Sequence, residues 1–249
     1  ENLIFGQDYY PYFKKYGLRI YSQIGQKVGW KKKNGESHTR TLLRSLVLYK
    51  LGDFGDQGVI KKAQKLFDKG GIDVDLRGVA YGLIAQNGGK KEYLQLKKMH
   101  NSETLQQERD RITAAMASFK DQDLLLQTLQ FALSEQVRLQ DGVSVISAVS
   151  SNPLGRKLAW KFVKKSWKLI NERYGRGHFM LPRLLEPFGN FHSKVEAEDF
   201  ETFFKKHSAP AAKRTIKQVL EKIRSNDDWL KRDNQKIREY LVNLQPKLL

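Results

Sequence analysis

Residues 121–132 read DQDLLLQTLQFA, and the positions Leu124, Leu125, Thr128, Leu129 and Ala132 recur three or four apart. That spacing lines one face of an α-helix, whereas a half-buried strand would alternate at every second residue. Asp121 stands just ahead of the run, where a short side-chain oxygen accepts from an unpaired amide of the first turn. Working outward, the same signature covers nearly every segment. Upstream, Tyr9, Phe13, Tyr16, Ile20 and Ile24 predict a helix over 8–28, with Gly17 and Gly25 as candidate bends. Leu42, Leu43, Leu46 and Val47 form an apolar stripe that stops at Leu51-Gly52. Ile60, Ala63, Leu66 and Phe67 give a third helix, and Val79, Ala80, Leu83 and Ile84 a fourth, ended by Asn87-Gly88-Gly89. Tyr93, Leu94 and Leu96 start a fifth, and Ile112, Ala115, Met116 and Phe119 mark a sixth.

Downstream, the run 143–149 is short and almost wholly apolar, the pattern of a helix in the middle of a stack or of a buried strand. Asn152-Pro153 reads as cap and first residue of a long helix whose inward positions are Leu154, Leu158, Phe162 and Ile170. Its other side carries Lys157, Lys161, Lys164 and Lys168, which read as a solvated face. Met180, Leu181, Leu184 and Leu185 mark the next helix, and Ser193-Lys194-Val195-Glu196 is a capping box ahead of Phe200, Phe203 and Phe204. Pro210 separates these from Ile216, Val219, Leu220 and Ile223, and Asp227-Asp228 opens a closing helix with Trp229, Ile237 and Leu241. About a dozen helices joined by short polar turns predict an all-α fold, an α-solenoid of antiparallel helix pairs. No fixed-period repeat and no convincing linker interrupt it, so residues 1–249 read as a single helical-repeat domain.

Composition narrows the function. The chain is 40% hydrophobic and 29% charged with six Pro, which excludes disorder and collagen-like repetition. It contains no Cys, so disulfides, thiolate metal sites and cysteine nucleophiles are ruled out, and the cytosol is the expected compartment. No membrane span or signal peptide is legible. The chain begins at Glu1 without an initiator Met and reads as a piece of a longer polypeptide. Its 45 Lys plus Arg against 27 Asp plus Glu leave a net charge of +18, a field that attracts phosphates, anionic membranes or acidic peptides alike. The densest run, Lys31-Lys32-Lys33 beside Trp30, reads as loop.

Catalytic motifs are absent. His38, His100, His178, His192 and His207 are never four apart, so no His-Glu-x-x-His presents two imidazoles on one helical face, and no metal site is expected in this chain. Neither a Walker A loop nor a dinucleotide-binding glycine pattern occurs, and Ser144, Ser150 and Ser151 lack any nucleophile-elbow context.

One ordered constellation remains. Ser134-Glu135-Gln136-Val137-Arg138-Leu139-Gln140-Asp141-Gly142 precedes the apolar run, then come Asn152-Pro153-Leu154-Gly155-Arg156, Ala159-Trp160-Lys161-Phe162, Trp167 and Glu172-Arg173-Tyr174-Gly175. Upstream stand Gly29-Trp30, Leu42-Leu43-Arg44, Ala63-Gln64-Lys65-Leu66-Phe67 and Arg77-Gly78-Val79-Ala80-Tyr81-Gly82. Phe200-x-x-Phe203-Phe204, Ile223-Arg224-Ser225-Asn226 and Trp229 complete the series. In this order they resemble the C-terminal helical domain of M1-family zinc aminopeptidases of the puromycin-sensitive, endoplasmic-reticulum and tricorn-interacting-factor type.

The resemblance implies a bowl of HEAT-like or armadillo-like helix pairs that caps an active-site chamber and contacts the distal part of longer peptides. It also implies that the zinc, the His-Glu-x-x-His motif and the Gly-x-Met-Glu-Asn loop belong to a separate catalytic domain of the same polypeptide. This chain alone is then a non-catalytic part that holds no cofactor, with peptides and those catalytic domains as its partners. By motif position Arg138 and Gln140 are the substrate-contacting candidates, Arg138 offering a planar donor fork and Gln140 an adaptable amide. A simple Arg138 to Asp141 pair at a helix junction is the competing reading. Arg44 is a third candidate, set against a helix-face ion pair, while Arg156, Trp160 and Trp167 read as structural. The alternative function is a stand-alone basic α-solenoid that binds nucleic acid or an acidic protein; it explains the charge and leaves the motif order unexplained, so nucleic acid is not the expected partner.

Overall fold

A computed structural model describes residues 1–176 and 179–244; His178 lies outside them. Among the described residues all regular structure is helical, as the periodicity predicts. The helices fall into two compact units.

One unit runs from Gly6 to Phe119 and takes in the chain from Ile237. It holds α1 (Tyr10–Val28), α2 (His38–Asp53), α3 (Gln57–Lys69), α4 (Val74–Asn87), α5 (Lys90–Ser102) and α6 (Gln106–Met116). Short polar side chains start several of them: Ser37 caps α2, Asp56 caps α3 and Asp73 caps α4 by accepting from first-turn amides. α1 packs on α2, α3 on α4 and α5 on α6, while α2, α4 and α6 lie side by side. Such two-row stacking of helix pairs is how an α-solenoid builds its core. α4, in the middle of its row, is buried from Val79 through Ala85, which is why its sequence is apolar almost all round. Gly17 and Gly25 serve close approach rather than bending: a Cβ on Gly17 would press into the Phe54 ring, and one on Gly25 would lie 2.6 Å from Leu51.

The other unit comprises Glu1–Phe5 and Lys120–Lys236. It contains α7 (Gln122–Ala132), α8 (Leu139–Ser151), α9 (Arg156–Lys165), α10 (Trp167–Tyr174), α11 (Met180–Leu185), α12 (Lys194–Lys206) and most of α13 (Lys213–Asn243). Asp121 Oδ1 accepts from the amides of Asp123 and Leu124 at 2.9 and 3.0 Å. The Ser193 box closes as read, Ser193 Oγ accepting from the Glu196 amide at 3.3 Å. The apolar run 143–149 lies within α8, which packs against α7, α9 and α11. Beside it Trp160 and Trp167 meet Phe203 edge-on, at ring-centroid distances of 5.2 and 5.3 Å.

Three local readings are corrected. Asn152-Pro153 does not start a helix: Asn152 terminates α8, and its Oδ1 accepts from Leu154 N in the turn before α9. α9 therefore buries Ala159, Trp160 and Val163, and Leu154 is 36% exposed. Asp227 and Asp228 sit inside the 31-residue α13, where Asp227 pairs with Lys231 one turn on at 2.5 Å. The third concerns α2. It turns Leu42, Leu43 and Leu46 outward and buries Thr41, Arg44, Val47 and Leu48.

Candidate functional site

The stretch from Leu133 to Gly142 joins α7 to α8 and carries two of the three candidate side chains. Its path is fixed from α10, where Arg173 Nη1 donates to the Leu133 carbonyl at 2.7 Å. The next residue, Tyr174, is 1% exposed, and burial raises its pKa against the moderating charge of Arg173. A Cβ on Gly142 would press into the Ala132 carbonyl and lie 2.8 Å from the Tyr174 hydroxyl. Glycine thus seats the first turn of α8 directly on α7 and α10.

That seating presents Arg138, Leu139 and Gln140 to solvent in succession. Arg138 occupies the N-cap position of α8 and makes no side-chain cap bond. Its guanidinium donates to Asp141 through Nε at 2.7 Å and Nη2 at 3.4 Å. The Arg138 side chain stays 52% exposed against 17% for Asp141. So the pair at the helix junction forms, and Arg138 and Gln140 share one exposed turn. A cation at this end opposes the helix dipole, and an exposed ion pair is worth about 1 kcal/mol or less. Ser, Asn or Asp would serve α8 better as a cap.

Arg44 lies in the other unit and is 2% exposed. Its Nε donates to the carbonyls of Val28 and Gly29 at 3.2 and 3.1 Å, so it closes the C-terminal end of α1. Nη2 meets Glu36 Oε2 at 2.6 Å, and Nη1 meets Oε1 at 2.5 Å as an ion pair rather than a well-directed hydrogen bond. The Arg44 hydrogen bond pulls the Glu36 pKa down to about 2 against the opposing effect of burial, helped by the Lys33 amide and the charges of Arg44 and Arg40. Arg44 is thus an ion pair of the buried side of α2, bound to a loop that sequence spacing alone did not connect to it.

Arg156, 4% exposed, donates from Nε to the Ser150 carbonyl and from Nη1 to that of Asn190. It ties α8 to the turn before α12. Trp160 Nε1 donates to Asp199 at 2.7 Å, and Lys164 reaches the same carboxylate. Lys157 stands 3.9 Å from Glu196, so part of the basic stripe of α9 is neutralised by α12. A second buried carboxylate, Glu108, is held by Arg77 and Arg111 and lines a cleft of about 340 Å³. Tyr81 hydrogen-bonds it, and burial first, then Glu108, raises the Tyr81 pKa to about 12.

Among the described residues no three His, Asp or Glu side chains converge. His100 is buried beside Asn101, and His207 stacks on Phe203 with Nδ1 against that residue's carbonyl.

Among the described residues the ordered motifs lie along the helices of an all-α module, from the end of α1 to α13. Residues 2–225 match the family model described as "ERAP1-like C-terminal domain". The chain belongs to that family and is a C-terminal domain of an M1 aminopeptidase. It is similar to Aminopeptidase M1 of Arabidopsis thaliana, 32% identical in an alignment of 231 residues that covers 87% of this chain and 26% of that protein. It also resembles Glutamyl aminopeptidase of Homo sapiens, at 28% identity over 96% of this chain and 26% of the relative, and Aminopeptidase M1-A of Oryza sativa subsp. japonica, at 29% over 87% and 26%. The chain thus spans about a quarter of the length of these relatives.

Proposed function

We propose that the chain is the non-catalytic C-terminal module, residues 1–249, of a zinc aminopeptidase: it caps the active-site chamber and holds the distal part of peptide substrates. Arg138 carries this reading. It stands at a helix N-cap where it forms no cap bond, works against the helix dipole and keeps half its surface in solvent. A guanidinium with half its surface in solvent at the start of a helix is within reach of a ligand. A guanidinium fork binds carboxylates bidentately, and the far end of a peptide is a carboxylate. Asp141 holds the fork until that carboxylate competes for it. Gln140, on the same turn, offers an amide that donates or accepts along a peptide backbone. Arg44, the third candidate, has its donors committed to α1 and Glu36 and is not assigned a peptide contact.

Zinc belongs, in this reading, to the preceding catalytic domain of the same polypeptide, where it supplies the hydrolytic chemistry. The protein works in the cytosol, in keeping with a chain free of Cys; no helix among the described residues is long and apolar enough to cross a membrane. In the whole enzyme, Arg138→Ala should lower kcat/KM for long peptides roughly ten- to a hundred-fold, from about 1.5 to 3 kcal/mol of lost charge-assisted bonding. Aminoacyl chromogens, too short to reach the contact, should be turned over unchanged. An equal loss on long and short substrates would refute the assignment.

A further inference from the structure

α2 is patterned inside out. Over 41–48 its one charged side chain, Arg44, is 2% exposed, while Leu42, Leu43 and Leu46 are 58%, 39% and 52% exposed. Single exposed leucines are ordinary on protein surfaces. Three on two turns of one helical face, opposite a buried guanidinium, invert the usual pattern of a surface helix. The helix is held in this orientation. Arg44 is fastened to the Val28 and Gly29 carbonyls and to Glu36, Ser45 Oγ donates to the Asp75 carbonyl at 2.7 Å, and Val47 and Leu51 pack over Gly25 of α1. The leucines are therefore held outward by a buried polar device, and contiguous exposed apolar surface of this kind marks an interaction site.

We propose that this face of α2 docks the preceding domains of the same polypeptide. The inference rests on the reading of the chain as an aminopeptidase C-terminal module and adds the surface through which it is joined. The relatives carry about three quarters of their length outside the region matched here. In a C-terminal domain that remainder connects ahead of α1, and α1 is the helix packed on α2. A domain joined there meets the α1–α2 pair at high effective concentration, so even a modest apolar patch suffices to hold it. The face is also uncharged over two turns, which suits another folded surface and not a charged ligand.

The absence of Cys from this chain makes the test direct. Leu42→Cys and Leu46→Cys, made singly, are labelled with a maleimide in the 249-residue chain and in the whole polypeptide, and the modified site is mapped by mass. Labelling at both positions should be at least tenfold slower in the whole polypeptide. In addition, Leu42→Ser/Leu46→Ser should lower the melting temperature of the whole polypeptide and leave that of the 249-residue chain unchanged. Equal labelling rates in the two would overturn the proposal. Slow labelling in the 249-residue chain, with a dimer by light scattering, would also overturn it, by assigning the face to a second copy. Aminopeptidase assays of the same polypeptide keep the two readings apart. An active, length-selective enzyme with freely labelled leucines refutes the docking face alone; protected leucines in a polypeptide without aminopeptidase activity refute the functional reading alone.

Discussion

At the scale of single residues, Arg44 and Arg138 show one side chain put to opposite uses. Arg44 gives its contacts to the fold: two carbonyls at the end of α1 and both oxygens of Glu36. Arg138 keeps half its surface open on a turn it does not cap. Leu-Leu-Arg and Arg-Leu-Gln-Asp are equally short motifs, and sequence could not rank them because burial depends on partners 15 and 16 residues away for Arg44. The Glu36 carboxyl supplies a pH test. Its pKa falls on folding from an ordinary 4.5 to about 2, so the stability it contributes is fully present above about pH 4.5 and is lost as pH falls toward 2. Glu36→Gln should therefore unfold at lower urea than the parent chain at pH 7, and the gap should shrink steadily below pH 4.5. A gap constant between pH 7 and pH 3 would contradict this account of the pair.

Among elements, α8 and α2 mark the limits of pattern reading. The apolar run 143–149 left helix and strand open; the structure extends it to a 13-residue helix packed on three neighbours, which explains an apolar sequence without a polar face. The capping signals at Asp121 and Ser193 were legible because the donor and acceptor lie within three residues of each other. Asn152-Pro153 carries the same signal and ends a helix instead, since Gly155 and Arg156 are drawn against α8, with Arg156 Nε on the Ser150 carbonyl. The leucines of α2 obey the helical period yet face outward, because Arg44 and Thr41 fix which side turns in. Seating α8 on α7 and α10 requires Gly142. Gly142→Ala should cost about 1 to 3 kcal/mol, as overpacked cores do, and read as a lowered melting temperature. A variant as stable as the parent would mean that the α7–α8 junction yields without cost.

For the whole molecule, the all-α architecture was readable from periodicity and short polar turns, whereas the division into two compact units was not, for no composition change falls near Phe119 or Lys120. The net charge of +18 is also a property of the whole chain. Lys157, Lys164, Arg77 and Arg111 spend theirs on carboxylates within the fold, and the remainder lies along many helices. Titration with labelled single- and double-stranded oligonucleotides near physiological salt should give only weak binding. Tight binding that falls steeply with salt would instead show counterion release and favour a nucleic-acid groove. The role proposed for Arg138, to receive a peptide's terminal carboxylate, is tested by kcat/KM of the whole enzyme for one long peptide as free acid and as C-terminal amide. The parent enzyme should prefer the acid roughly ten-fold or more and Arg138→Ala should abolish the preference; a preference undiminished in Arg138→Ala, or none in the parent, would rule that role out.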